Sequence, residues 1–257
     1  MTINNLLLEM KNISLSFGGL KALIDVDLNI QKGEVVAIIG PNGAGKSSML
    51  NVISGIYQPQ KGQVFWKGKK RGYIKPHEIA SMRIARTFQN IALFKGMTAL
   101  ENIMTGRNTL MKRNVFLEAL YIGWAKKQEI EHRKKVEKII EFLEIEHIRK
   151  TLVSRLPYGL QKRVELARAL VAEPEVLLLD EPMAGMNLEE KEDMCRFILD
   201  TNKILGTTIV LIEHDMGVVM DISDRVAVLD YGRKIADGLP KEVSSDEKVI
   251  AAYLGKE

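Results

Sequence analysis

The chain has 257 residues, 46% of them apolar and 27% charged, with a formal net charge of +4. That length supports a buried core in one or two domains, and the balance is that of an ordinary globular protein. The sequence has no apolar run near the roughly 18 residues of a membrane span, and its single cysteine, Cys195, makes neither an internal disulfide nor a thiolate cluster. The start, Met1 to Lys11, lacks the charge, apolar middle and small-residue site of a secretory signal, so a cytosolic protein is expected. Basic residues fall in short runs, at Lys67 to Arg71, Arg133 to Lys135 and Lys162–Arg163. No aromatic platform accompanies them, so nucleic acid is not an expected partner.

In chain order, Leu6 to Phe17, Leu23 to Ile30 and Val35 to Ile39 read as strands. The last is a continuous apolar run, as expected for a strand buried on both faces. The segment Gly40-Pro41-Asn42-Gly43-Ala44-Gly45-Lys46-Ser47 follows at once, with Ser48 behind it. Gly, four residues, then Gly-Lys-Ser is a phosphate-binding loop, or P-loop. Its glycines let the backbone turn successive N–H groups toward an anion, and the helix after it, expected over Lys46 to Ile56, adds the positive end of its dipole. Lys46 supplies a point charge for the β- and γ-phosphates, and the Ser47 hydroxyl suits Mg²⁺. Gly62 to Trp66 reads as a further strand.

From about Thr98 to Arg149 the pattern turns helical. Ile130, Val136, Ile139, Ile140, Leu143 and Ile145 fall on one face. Leu160 to Ala172 reads as a second helix, stopped by Pro174. Strand–helix alternation then returns, with strands at Val176 to Leu179, Thr208 to Ile212 and Arg225 to Leu229 and a helix over Glu189 to Leu205 that contains Cys195. Burial in packing is the expected role of that thiol. The alternation predicts an α/β fold: a P-loop core with a parallel sheet, an N-terminal antiparallel β subdomain, and an inserted α-helical subdomain at about 98–158, within a single domain over 1–257. The strand Val176 to Leu179 ends in Asp180-Glu181 at the carboxyl edge of the sheet, where ligands bind. Asp180 is placed to hold Mg²⁺ and Glu181 to act as general base on an attacking water.

The segment Leu156-Pro157-Tyr158-Gly159-Leu160-Gln161-Lys162-Arg163, running into Glu165-Leu166-Ala167-Arg168, resembles the signature of ABC ATPases, and it precedes the Asp-Glu strand as in that family. The resemblance covers essentially the whole chain. It implies that Phe17 stacks on adenine and that Gln89, in Arg86-Thr87-Phe88-Gln89, is the Q-loop glutamine near metal and water. It makes Ala184 to Asn187 the D-loop, His214 the switch histidine at the γ-phosphate, and Gly159 part of the face offered to a second nucleotide. Within the family the chain looks most like the larger-type ATPase subunit of branched-chain amino acid importers. Phe17-Gly18-Gly19-Leu20, Arg86 to Gln89 with Leu93-Phe94 and Met97-Thr98, Ile212 to Met216, Tyr158, a helical insertion near 107–135 and the ending Ala252-Tyr253-Leu254-Gly255 carry that likeness.

The resemblance implies ATP and Mg²⁺ as ligands and a head-to-tail dimer with a second ATPase subunit. It also implies two membrane permease subunits, indirect work with a solute-binding protein, and a peripheral place on the cytoplasmic side of the membrane. The permease is expected around Gln89 to Glu101 plus the helical insertion, with Leu93, Phe94 and Met97 as its apolar grip and Lys95 and Arg83 as charges. Alternatives are a urea or amide importer, a lipid or lipopolysaccharide exporter, and a soluble ABC ATPase outside transport. The signature departs from the family's Leu-Ser-Gly-Gly-Gln. Pro157 has no hydroxyl and no N–H, Tyr158 replaces a glycine, and Leu160 replaces glutamine. The helix start near Gly159 still offers free N–H groups, so its hold on a partner's nucleotide is weakened by about 1.5–3 kcal/mol rather than abolished.

Overall fold

The structure, a computed structural model, describes residues 5–72, 74, 76–108, 110 and 124–254. Residues 109 and 111–123 of the expected insertion and Gly255 of the expected ending lie outside the described residues. Two sheets form the frame. Strands β1 (Leu6–Phe17), β2 (Leu20–Gln31), β4 (Lys61–Trp66) and β5 (Lys69–Arg71) make an antiparallel sheet in the order β2-β1-β4-β5. Strands β3 (Val35–Ile39), β6 (Ile84–Arg86), β7 (Val176–Asp180), β8 (Thr208–Ile212), β9 (Arg225–Asp230) and β10 (Arg233–Gly238) make the second, in the order β10-β9-β3-β8-β7-β6. All its pairings are parallel except the β9–β10 hairpin.

Every residue of β3, β7 and β8 is buried. Alternation along these strands sends side chains to two cores. Val36, Ile38, Val176, Leu178, Val210 and Ile212 pack with β1, β2 and the helix α1 (Lys46–Ile53). Leu177, Leu179, Ile209 and Leu211 pack on the other side, against helices. Those helices are α3 (Ala99–Thr105), α4 (Trp124–Phe142), α5 (Tyr158–Leu170) and α6 (Leu188–Lys203). A smaller helix, α2 (Pro76–Ser81), precedes β6. Three more follow β8: α7 (Met216–Ile222), α8 (Pro240–Ser244) and α9 (Glu247–Leu254). No helix among the described residues is long and apolar enough to cross a membrane.

The fold class read from the sequence is the one observed, with corrections at the edges. The helical stretch 98–149 is not continuous. Among its described residues are α3, α4 and a short 3-10 turn at Glu146–Ile148. Thr98 starts α3 with a capping box, its hydroxyl taking the Glu101 N–H and the Glu101 carboxylate taking the Thr98 N–H. Of the expected apolar face, Val136 and Ile140 on α4 and Leu143 and Ile145 just beyond it are fully buried, but Ile130 is 47% exposed. Cys195 is only half-buried, beside the Met183 sulfur at 3.7 Å, and burial pushes its thiol up to about 11.

A polar cluster, buried at Arg107 and His132, ties α3 and α4 to the end of α5. Arg107 Nε donates to His132 Nδ1 at 2.9 Å, while its Nη1 donates to the Val171 carbonyl (2.6 Å) and to Glu173 (2.9 Å). Lys135 shares the same Glu173 oxygen at 2.6 Å. Burial, then Arg107 and Lys135, hold the His132 imidazolium form down.

Candidate active site

Four neighbouring parallel strands deliver the site from their carboxyl ends. Strand β3 runs into the glycine loop, β8 into His214, β7 into Asp180-Glu181, and β6 into the segment holding Gln89. This is the edge of an open α/β sheet at which ligands bind. Gly40 turns the chain there with φ +145°, and a Cβ on it would overlap the Leu229 carbonyl of β9, so only glycine fits. The first N–H groups of α1 have no partner within the helix, and Gly45 at its start offers no side-chain cap. Backbone donors at residues 46–48 are therefore available to an anion.

A cavity of about 310 Å³ lies over this loop, lined by Phe17, Asn42 to Ser48, Glu181 and His214 among others. Lys46 is buried and folds back, donating to the carbonyls of Gly40 (2.6 Å) and Pro41 (2.9 Å). Burial pushes its ammonium down, against the pull of Glu181 and Asp180. Phe17 is 45% exposed and meets Tyr57 edge-on, with ring centroids 5.0 Å apart. It is therefore no core aromatic, and its open face borders the cavity.

Glu181 is the meeting point. Gln89 Nε2 donates to its Oε2 at 2.8 Å, and His214 Nε2 lies 2.6 Å from its Oε1. Glu181 itself sits at φ +49°, a left-handed conformation that costs a non-glycine residue about 1 kcal/mol or more. Its N–H donates to the Ile212 carbonyl at 2.9 Å, which locks that turn onto β8. The sequence-predicted residues Glu181, Gln89, His214, Lys46 and Ser47 are thus brought together around the loop.

Asp180, beside them, is already engaged. Arg86 Nη2 donates to its Oδ2 at 2.8 Å, with both side chains near 10% exposed. Arg86 also donates to Asn51 on α1 and stacks its guanidinium 5.1 Å from the Phe88 ring centroid, while its Nε is buried without an acceptor. This arginine holds the aspartate, and the sequence signal for it was its place three residues before Gln89. Buried Glu213 is a second such residue. Its two oxygens accept the N–H groups of Met183 (2.9 Å) and His214 (3.0 Å), pinning the turn after β7 to the turn after β8. A carboxylate directly after an apolar strand was its only trace in the sequence.

The donor set fits Mg²⁺. Ser47 hydroxyl, the second Asp180 oxygen and the Gln89 amide are hard oxygen ligands, too few for an all-protein cage and suited to an ion shared with phosphates.

Gly159 stands outside the cavity, in the first turn of α5. A Cβ there would overlap the carboxylate of Glu190 on α6. Glu190 in turn closes a capping box with Asn187, the last residue of the expected D-loop. The Tyr158 ring rests over Gly185 of the same loop. Pro157 caps α5 without any side-chain bond. The signature and the D-loop are therefore one packed unit at the surface.

Comparison with known proteins places this geometry. The ABC transporter family profile matches residues 23–184, and a profile described as branched-chain amino acid ATP-binding cassette transporter matches 233–257. The high-affinity branched-chain amino acid transport ATP-binding protein BraF of Pseudomonas aeruginosa is 38% identical over 97% of this chain and 98% of its own. A crystal structure of a nucleotide-free ATP-binding cassette from an ABC transporter superposes with a TM-score of 0.84 at 35% identity, covering 98% of this chain and 100% of that one. A dimeric post-hydrolysis cassette, MJ0796 bound to ADP and Pi, superposes with a TM-score of 0.76 at 27% identity, covering 91% and 98%. With the loop, the paired carboxylates and the signature helix in their places, this chain belongs to the ABC transporter ATP-binding family.

Proposed function

We propose that this chain is the ATP-hydrolysing subunit of an importer for branched-chain amino acids, seated on the cytoplasmic face of a membrane. The observation that carries the ATPase reading is the convergence of Gln89 and His214 on Glu181 beside the glycine loop. The loop N–H groups and Lys46 bind the β- and γ-phosphates, and Phe17 stacks on the adenine. Lys46 leaves the Gly40 and Pro41 carbonyls to do so. Glu181 accepts a proton from the water whose oxygen attacks the γ-phosphorus, as the bond from that phosphorus to the bridging oxygen of ADP breaks. His214 and Gln89 orient Glu181 and the water. Ser47, Asp180 and Gln89 would hold Mg²⁺, which when bound supplies charge neutralisation at the phosphate oxygens.

ATP closes a head-to-tail dimer because the γ-phosphate touches both subunits, and hydrolysis removes that bridge. The second subunit is either another copy or a homologous chain with a fuller signature. Permease subunits dock at a groove of about 450 Å³ lined by Phe94, Thr105, Gly106 and Arg168 among others. Phe94 is exposed there for an apolar grip and Met97 is exposed beside a neighbouring cavity, whereas Leu93 packs partly into the core. Arg83 is less available than the sequence suggests, since it is bound to the Glu173 carbonyl and near Glu175. A solute-binding protein would act at the far side of the permeases. The branched-chain relatives favour this solute over urea, amides or exported lipid.

The test is Glu181→Gln in the purified subunit, followed by transport in vesicles carrying the permeases and binding protein. The variant is expected to bind ATP, to lose turnover by about 10²–10⁴-fold, and to elute as a dimer with ATP. Unchanged turnover removes Glu181 as the base. ATP-driven uptake of urea instead of leucine by the wild-type assembly would move the solute assignment.

A further inference from the structure

One face of α5 carries Lys162, Glu165 and Arg168 at helical spacing, the first two buried and Arg168 at the edge of the groove. All three grip one short segment, residues 88–92. Lys162 Nζ donates to the Gln89 carbonyl at 2.9 Å and approaches the Phe88 carbonyl at 3.4 Å. Glu165 Oε1 accepts the Ala92 N–H at 3.4 Å, and Arg168 Nη1 donates to the Ala92 carbonyl. Lys162 and Glu165 are 3% and 2% exposed. A buried lysine and glutamate that served only each other would meet at hydrogen-bond distance. Here they stand 3.9 Å apart, and Glu165 Oε2 has no hydrogen-bond partner. The ammonium serves the backbone of the segment rather than its counter-ion.

Gln89 is therefore held from both ends, its carbonyl by α5 and its amide by Glu181. We propose that Lys162 is a positioning residue for hydrolysis: it fixes Gln89 to the signature helix, so that a shift of that helix moves the glutamine relative to Glu181. The signature residues 156–160 lead into the start of α5, one turn from Lys162, so the ammonium links the surface offered to a second subunit to this chain's own reacting carboxylate. The inference rests on the ATPase reading of the site.

The test is a double-mutant cycle between Lys162→Met, which keeps the stem and removes the donor, and Gln89→Ala. Lys162→Met alone is expected to lower kcat about tenfold. Equilibrium binding of a fluorescent ATP analogue, measured in the Glu181→Gln background, is expected to change less than about twofold. In the Gln89→Ala background Lys162→Met is expected to cost less than about twofold, because residues acting as a unit are not additive. Lys162→Gln, which keeps an amide donor, is expected to recover part of the loss. A full tenfold loss in both backgrounds, or no loss in either, overturns the proposal. Should Lys162→Met misfold around the stranded carboxylate, Lys162→Met with Glu165→Gln removes that charge and runs through the same cycle. A wild-type subunit with no turnover would instead sink the ATPase reading itself.

Discussion

The glycine loop at 40–48 borders Glu181 directly and the signature helix α5 meets it only through Gln89, and the two are built in opposite ways. The loop works with backbone. Its donors are N–H groups, its shape is set by glycine, and its one long side chain, Lys46, rests on the loop's own carbonyls. The helix works with side chains that cross to distant segments: Lys162 to residue 89, Arg168 to residue 92. A backbone device is local and shows as a spacing in the sequence. A side-chain device is fixed only when the fold brings two remote segments together.

The sharpest way to break this contrast is Lys46→Ala. If the loop's single charged side chain carries phosphate affinity alongside the backbone, ATP binding should fall about a hundredfold or more, from two charge-assisted bonds of roughly 1.5–3 kcal/mol each. Calorimetric titration reads it, and near-normal affinity would mean that the N–H groups suffice. A smaller effect is expected at the helix. Pro157→Ser with Leu160→Gln restores a hydroxyl and an amide toward a partner's nucleotide, worth about 1.5–3 kcal/mol. ATP-dependent dimerisation of Glu181→Gln chains should tighten accordingly. An unchanged dimer would show that α5 already binds through its N–H groups alone.

The smallest effect is one of pH. His132 is held in its neutral form, with its Nδ1 accepting from Arg107 and with Lys135, Glu131 and Glu173 around it. A depressed folded-state value means the unfolded chain takes up the proton first as pH falls. The stabilisation is complete above the ordinary histidine value near 6.5 and is lost as pH drops below it toward the folded-state value. His132→Asn keeps an acceptor for Arg107 without a titrating group. Its melting temperature should depend less on pH between about 7.5 and 5.5 than that of the wild type. Equal slopes would place the acid sensitivity elsewhere.

Legibility followed the same division. Strands β3, β7 and β8 were readable because they are buried on both faces and carry unbroken apolar runs. Short edge strands β5 and β6 and the terminal hairpin strand β10 were not, since few of their residues are buried and their register is fixed by a neighbour. Gln89 and His214 were found through family likeness. Their common contact on Glu181 was not, and neither was the left-handed turn that aims it. The grip of Arg86 on Asp180 joins residues nearly a hundred positions apart, and no local pattern encodes such a pair.

The pairing of β3 with β8 has a consequence for how this protein is made. Residue 36 lies beside residue 210, and no strand between them in the sequence substitutes for β8 in that place. A growing chain on the ribosome therefore carries the complete loop motif once residue 48 has emerged, yet has no assembled sheet edge to hold it. Folding that proceeds from the N-terminus can finish the β1–β2 hairpin early, but the nucleotide site must wait until β8 has been translated. A nascent chain stalled before residue 208 should leave ATP unbound, and release of β8 and His214 should switch binding on within a few dozen codons.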